Sequence, residues 1–232
     1  AFERFSTDHD LRALVLTGSG TRAFCAGGDL ALTLPLLTGA RNPETEWDHR
    51  IVADRSIMDR SALRNVEIDK PIICAINGAC LAGGMETMIA TDLRIAAQDA
   101  IFGLPEAKRG LIPFAGSLVR LPRQIPHAVA MELLLTGDFI DADRALAIGL
   151  INRVVPQEEV LSTAMGMAQT IAANGPVAIR EIKRTVRRAF GANLEDGFRF
   201  EDEAYEVVVQ SEDAREGPRA FMEKRRARFV GR

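Results

Sequence analysis

PIICAINGACLAGGMETM, residues 71–88, carries a strand, a corner and the start of a helix in one run. Residues 71–76 are short and apolar and end at Asn77-Gly78, which reads as a buried strand closed by a turn. Gly83 and Gly84 then lead into Met85, Met88 and Ile89, an apolar helical face that also contains Glu86. Glycine at such a corner lets the backbone take unusual angles and approach a neighbour or a ligand closely. An acid among apolar residues is costly unless it is paired, hydrogen-bonded or useful. Taken alone, Glu86 is an acid that the dipole of a helix's first turn favours.

The same pattern recurs on either side. Arg12–Thr17 (RALVLT) is a β-branched, Leu-rich run that ends in Gly-Ser-Gly, and further strands are expected at Leu93–Ala96 and Ala100–Phe102. Helical patterns between these runs make βαβ units, which imply a mostly parallel sheet covered by helices. From about Ala115 the pattern is nearly all helical, broken by one strand at Ile151–Val155. Val160, Leu161, Ala164, Ala168 and Ile171 share a helix face, residues 176–190 form another helix, Asp141 reads as an N-cap, and Gly149 ends the helix that Asp141 starts. Residues 38–47 (TGARNPETEW) read as a mobile polar loop before a helix near 48–66. The chain begins at Ala1, without Met, inside an amphipathic helical pattern, so a preceding segment is expected to be missing.

With 232 residues, the chain suits one large domain or a core with a small appendage. Its 29 basic and 32 acidic residues leave a net charge of −3, which gives no global attraction to nucleic acid or to an anionic membrane. No apolar run has the length of a membrane span and no signal-peptide pattern is present. Cys25, Cys74 and Cys80 have no metal-site or disulfide spacing and read as buried thiols of a reducing, cytoplasmic compartment.

A second glycine corner, AFCAGGDL at 23–30, reads like the first, as a strand passing into a helix. One such corner usually just makes a tight turn. Two at the same end of one sheet could aim two N–H groups at one oxygen, the geometry of an oxyanion hole. Neither corner fits a phosphate-binding loop. A second acid, Glu106, lies in FGLPEAKRGLIP, 102–113, where Lys108 or Arg109 could pair with it at the surface. Together Glu86 and Glu106 make two carboxylates that could flank one pocket, as acid–base work on water and carbon requires.

AFCAGGDL, NGACLAGGMETMIATDLRIA and FGLPEAKRGLIP stand in an order and at a spacing that resemble the enoyl-CoA hydratase/isomerase (crotonase) superfamily, most closely its hydratases. LLLTGDFIDADRALAIGLINRVV and the terminal FMEKRRARFVG extend the resemblance over essentially the whole chain. It implies an α/β fold with a ββα spiral core over 1–174, its first strands missing, and a helical trimerisation region over 175–232 that builds trimers or hexamers. It implies an acyl-CoA thioester held with Gly28 and Gly83 as oxyanion donors, Ala26, Asp29, Phe114, Phe221 and Lys224 contacting substrate or CoA, and no metal or redox cofactor. Glu86 would position and deprotonate water and Glu106 would exchange the proton at Cα, giving a 3-hydroxyacyl-CoA from a 2-enoyl-CoA. Having both acids favours hydration. Phe114 departs from the pattern, because the hydratases usually carry glycine there, with an amide that helps to hold the water. That departure keeps open a carnitinyl-CoA-type dehydratase or an enoyl-CoA isomerase. A catalytically silent CoA-thioester binder is the third possibility. His9, His49 and His127 match no site of the family.

Overall fold

The computed structural model describes residues 1–54 and 56–232. It resolves into two compact units: residues 1–15, 68–72 and 165–232 form the first, and residues 16–67 and 73–164 the second.

Among the described residues eight strands form two sheets. They are β1 (Leu14–Thr17), β2 (Ala23–Cys25), β3 (Ile72–Ile76), β4 (Ala79–Leu81), β5 (Leu93–Ala97), β6 (Ile101–Gly103), β7 (Ile140–Asp141) and β8 (Arg153–Val155). One sheet runs β1-β3-β5-β8 and the other β2-β4-β6-β7. The pairs β3–β5, β5–β8, β2–β4 and β4–β6 are parallel, and β6–β7 is antiparallel. From β1 to β6 successive strands therefore alternate between the sheets, and each of these turns of chain is ββα, a strand in each sheet before the helices, rather than the βαβ that periodicity alone predicts. Three short strands account for the difference. β2 and β4 lie within the glycine corners, and two-residue β7 lies in the half expected to hold one strand. Runs of two or three residues are too short to display an alternating pattern.

β3 needs no alternation because every one of its side chains is buried, as a strand covered on both faces requires. Around it Ile95, Phe102, Leu104, Met85 and Met88 are fully buried. Cys74 and Cys80 are buried as expected, and burial pushes the Cys74 thiol up to about 11, but Cys25 is exposed. At the end of β2 the chain is already leaving the core.

The helices follow their caps. The Asp141 carboxylate accepts from the N–H of Arg144 at 2.8 Å, and Gly149, at φ 76°, follows the end of helix Ala142–Ala147. The helix expected near 48–66 is two helices, Glu46–Ala53 and Ser56–Ser61. The loop before them is tied down rather than loose. Arg41 forks onto Asp48 at 2.8 and 2.9 Å and also donates to the Leu32 carbonyl, while Thr45 and Asp48 close a capping box. In the first unit Val160–Ala172 enters from the second, and Pro176–Ala189, Leu194–Gln210 and Glu212–Met222 follow. Among the described residues no helix is long and apolar enough to cross a membrane.

Candidate active site

β2 and β4 are parallel neighbours, so the corners that follow them emerge at the same end of one sheet. They are fitted together at backbone contact. A Cβ on Gly84 would stand 2.1 Å from the Cys25 carbonyl oxygen, so no side chain can occupy that position. A Cβ on Gly27, at φ +101°, would meet the Cβ of Ala82 at 2.7 Å. Ala82 itself sits at φ 50°, ψ −126°, a strained conformation for a residue with a side chain, and its N–H donates to the Gly103 carbonyl at 2.9 Å. That pinned, strained peptide sets the direction of the next amide, Gly83, which opens the six-residue helix Gly83–Met88. A Cβ on Gly83 would lie 4.0 Å from the Gly28 nitrogen. Among the described residues neither the Gly28 nor the Gly83 N–H meets an acceptor. Two unengaged donors on adjacent loops can hold one oxygen that gains charge. The corner at Gly28 does not open a helix directly: the next one, Thr33–Thr38, starts only after a further turn.

Glu86 lies on the buried side of its short helix, 5% exposed. Its Oε1 accepts from the Ala115 N–H at 2.7 Å and from the Ser117 Oγ at 3.2 Å. Burial raises its pKa, and the donors at Ala115 and Ser117, with the Arg120 charge, oppose that rise. The far end of the helix is held by Arg94, a buried guanidinium that donates to the carbonyls of Met88, Ile89, Thr91 and Leu150 at 2.9–3.1 Å. The Gln124 amide adds a bond to the Ile89 carbonyl at 2.8 Å.

Glu106 lies in the 3₁₀ turn Pro105–Arg109, which Gly110 closes at φ 69°. It has neither of the surface partners open to it in the sequence. Lys108 pairs with Asp138, and the Arg109 guanidinium donates to the Pro105 carbonyl. Its Oε2 is buried and meets no donor among the described residues. Burial raises its pKa and the nearby Glu86 charge adds to the rise, while a hydrogen bond from its own backbone N–H and the Arg109 charge oppose it. The two carboxyls thus share one electrostatic environment, in which Glu86 is gripped by the donors of a neighbouring loop and Glu106 by none from outside its own residue.

Phe114 is 48% exposed, and its carbonyl accepts from Arg64 at 3.1 Å. The amide that this loop presents to Glu86 belongs to the following residue, Ala115. Ala26 is exposed beside Gly27, and the Asp29 carboxylate accepts from the N–H groups of Ala31 and Leu32, holding its own turn. Gly28, Gly83, Glu86, Glu106 and Phe114 all belong to the second unit. Phe221 and Lys224 belong to the first, where Phe221 is 81% exposed at the end of helix Glu212–Met222 and Lys224 takes φ 54° just beyond. His9, His49 and His127 are exposed. Among the described residues no group of His, Cys, Asp or Glu converges as metal ligands would.

Sequence reasoning did not single out Ser117, Ala115 or Arg94. Arg94 left a signal, a lone cation within an otherwise apolar strand. Ser117 and Ala115 left none, because their contact with Glu86 spans 29 to 31 residues and exists only once the chain has folded.

The sequence model of the enoyl-CoA hydratase/isomerase family matches residues 1–232. The chain is 40% identical to the enoyl-CoA hydratase EchA19 of Mycobacterium tuberculosis, over all of this chain and 84% of that protein. It is 36% identical to the carnitinyl-CoA dehydratase of Salmonella typhi, over all of this chain and 86% of that one. The crystal structure of an enoyl-CoA hydratase from Bacillus anthracis superposes with a TM-score of 0.88 at 36% identity, covering 100% of this chain and 86% of that one.

Proposed function

The chain belongs to the enoyl-CoA hydratase/isomerase family, and from that premise we propose that it adds water reversibly and syn across the double bond of a 2-enoyl-CoA thioester, giving a 3-hydroxyacyl-CoA. One observation carries the reading. Two carboxyls that feel each other's charge, Glu86 held by two donors and Glu106 with one buried oxygen unpartnered, share a unit with two unengaged glycine amides.

The thioester oxygen would lie between the N–H groups of Gly28 and Gly83. Their donation draws electrons toward the carbonyl and makes Cβ electrophilic. Donors of this kind are worth about 3–4 kcal/mol each as negative charge builds on the oxygen. Ionised Glu86 would orient a water and take its proton as the oxygen bonds to Cβ. Glu106, in its protonated form, would deliver a proton to Cα as the enolate collapses. The atoms balance, with hydroxyl on Cβ and hydrogen on Cα, and the carboxyls exchange their protonation states to be reset by solvent. The proposed chemistry calls for no metal or redox cofactor, since the CoA belongs to the substrate.

A second reading is dehydration of a carnitinyl-CoA-type substrate. It is favoured by the 36% identity to the dehydratase and by Phe114, whose bulk replaces the glycine usual in hydratases. We further propose a cytoplasmic homotrimer or hexamer, supported by the exposed apolar side chains Phe198, Tyr205 and Val209 on helix Leu194–Gln210.

Loss of the conjugated enoyl absorbance on adding crotonyl-CoA and longer 2-enoyl-CoAs tests the main reading. Turnover with one ¹⁸O from labelled water in the product supports it. No turnover at any chain length, in protein shown to bind CoA, rejects it. Turnover with carnitinyl-CoA alone selects the second reading.

A further inference from the structure

We propose that Ser117 is a positioning residue for Glu86, its hydroxyl fixing which carboxylate oxygen faces the loop and which is left to act. Ser117 is fully buried and is the first residue of helix Ser117–Gln124. In that place a serine would ordinarily serve the helix itself. Here it does not, because Gly116, at φ 117°, holds the N-cap position and no side chain caps the helix. The Ser117 hydroxyl turns instead to Oε1 of Glu86 at 3.2 Å, the same oxygen that takes the Ala115 N–H at 2.7 Å. The Ser117 backbone N–H also acts on this carboxylate. Both donors whose acceptor atom is fixed fall on Oε1, which distinguishes the two oxygens.

The consequence is both geometric and electrostatic. A carboxylate gripped at one oxygen cannot rotate about its last bond, so Oε2 keeps one direction. A hydrogen bond donated to an ionised group favours the ionised form and opposes the burial that raises this pKa. The other charges acting here are Glu106, coupled to Glu86, and Arg120, on Ser117's own helix. Neither can replace a directional donor. Arg120 is committed elsewhere, donating to the carbonyls of Ala62 and Leu63.

The kinetic arm of the test rests on the hydratase reading, but the spectroscopic arm does not. The Glu86 carboxyl is titrated by ¹³C NMR in a Glu106→Gln background with labelled glutamate. Ser117→Ala and Ser117→Gly, which both lack the hydroxyl, should raise its midpoint by about one pH unit, the worth of one hydrogen bond to a charged group. Ser117→Thr should return it toward the parent value. In the Glu106-containing enzyme, Ser117→Ala should lower kcat about tenfold with KM little changed and move the acid limb of the pH profile upward. An unchanged Glu86 midpoint in folded Ser117→Ala and Ser117→Gly proteins overturns the proposal. A raised midpoint in a protein that hydrates no enoyl-CoA sustains it and rejects the hydratase reading instead.

Discussion

The α-carbon of Gly84 faces the Cys25 carbonyl oxygen so closely that one added carbon would lie 2.1 Å from it. This contact locks the corner after β2 to the corner after β4 and brings Gly28 beside Gly83. Gly84→Ala must separate two backbones, and neither belongs to a flexible side chain. We expect a loss of about 3 kcal/mol or more in denaturant unfolding, at the high end of overpacking costs, together with a fall in turnover. A variant with wild-type unfolding midpoint and activity would show that the corners can part freely.

Glu86→Gln and Glu106→Gln preserve shape while removing the acid–base function. Each should lower kcat for enoyl-CoA hydration by about 10²–10⁴-fold. Calorimetric titration should show CoA-thioester affinity changed far less than turnover. Equal losses of both would point to a binding role for the acids.

Burial holds Glu86 and Glu106 above the ordinary glutamate value of 4.5. A carboxyl raised in the folded state adds stability that is complete below its unfolded pKa and is lost as pH rises through the folded one. Glu106→Gln, neutral throughout, escapes that loss. Its melting temperature should therefore exceed that of wild type at about pH 8, by a margin that narrows toward about pH 4. A margin constant across this range, measured by calorimetry, would contradict the burial described for this carboxyl.

Arg94 satisfies the carbonyl oxygens of Met88, Ile89, Thr91 and Leu150 around the C-terminal end of the Glu86 helix. Arg94→Met fills much of the volume but strands those acceptors away from water. A loss of about 3 kcal/mol is expected in urea unfolding. Turnover should fall as well, since the helix that carries Glu86 loses its anchor.

How far residues announced these features depended on how local the cause was. β3 was legible because a strand buried on both faces is apolar throughout, and β5 because it is apolar but for Arg94. The Asp141 cap was legible because it acts over three residues. Glu86 and Glu106 were conspicuous as acids in apolar or proline-framed settings, and it was the likeness to a family, not their spacing, that joined them. β2, β4 and β7 were hidden by their brevity. The bond from Ala115 to Glu86 was hidden by distance along the chain, as was the release of Glu106 from Lys108, which depends on Asp138. Phe114 drew notice for its bulk, whereas its backbone and its neighbour's amide do the structural work.

The division of the chain into units also has a meaning in time. Both glutamates and both glycine corners lie in the unit that is complete in sequence by residue 164, while the other unit closes only with residues 165–232. Arg12, near the start, donates to the carbonyls of Ala172 and Phe229, partners 160 and 217 residues away. A ribosome therefore releases both glutamates and both glycine corners well before it releases the groups that Arg12 awaits. Contacts closed over such lengths form late and slowly. For a nascent chain, the part with both glutamates and both glycine corners is ready to settle while Arg12 is still waiting for Ala172 and Phe229.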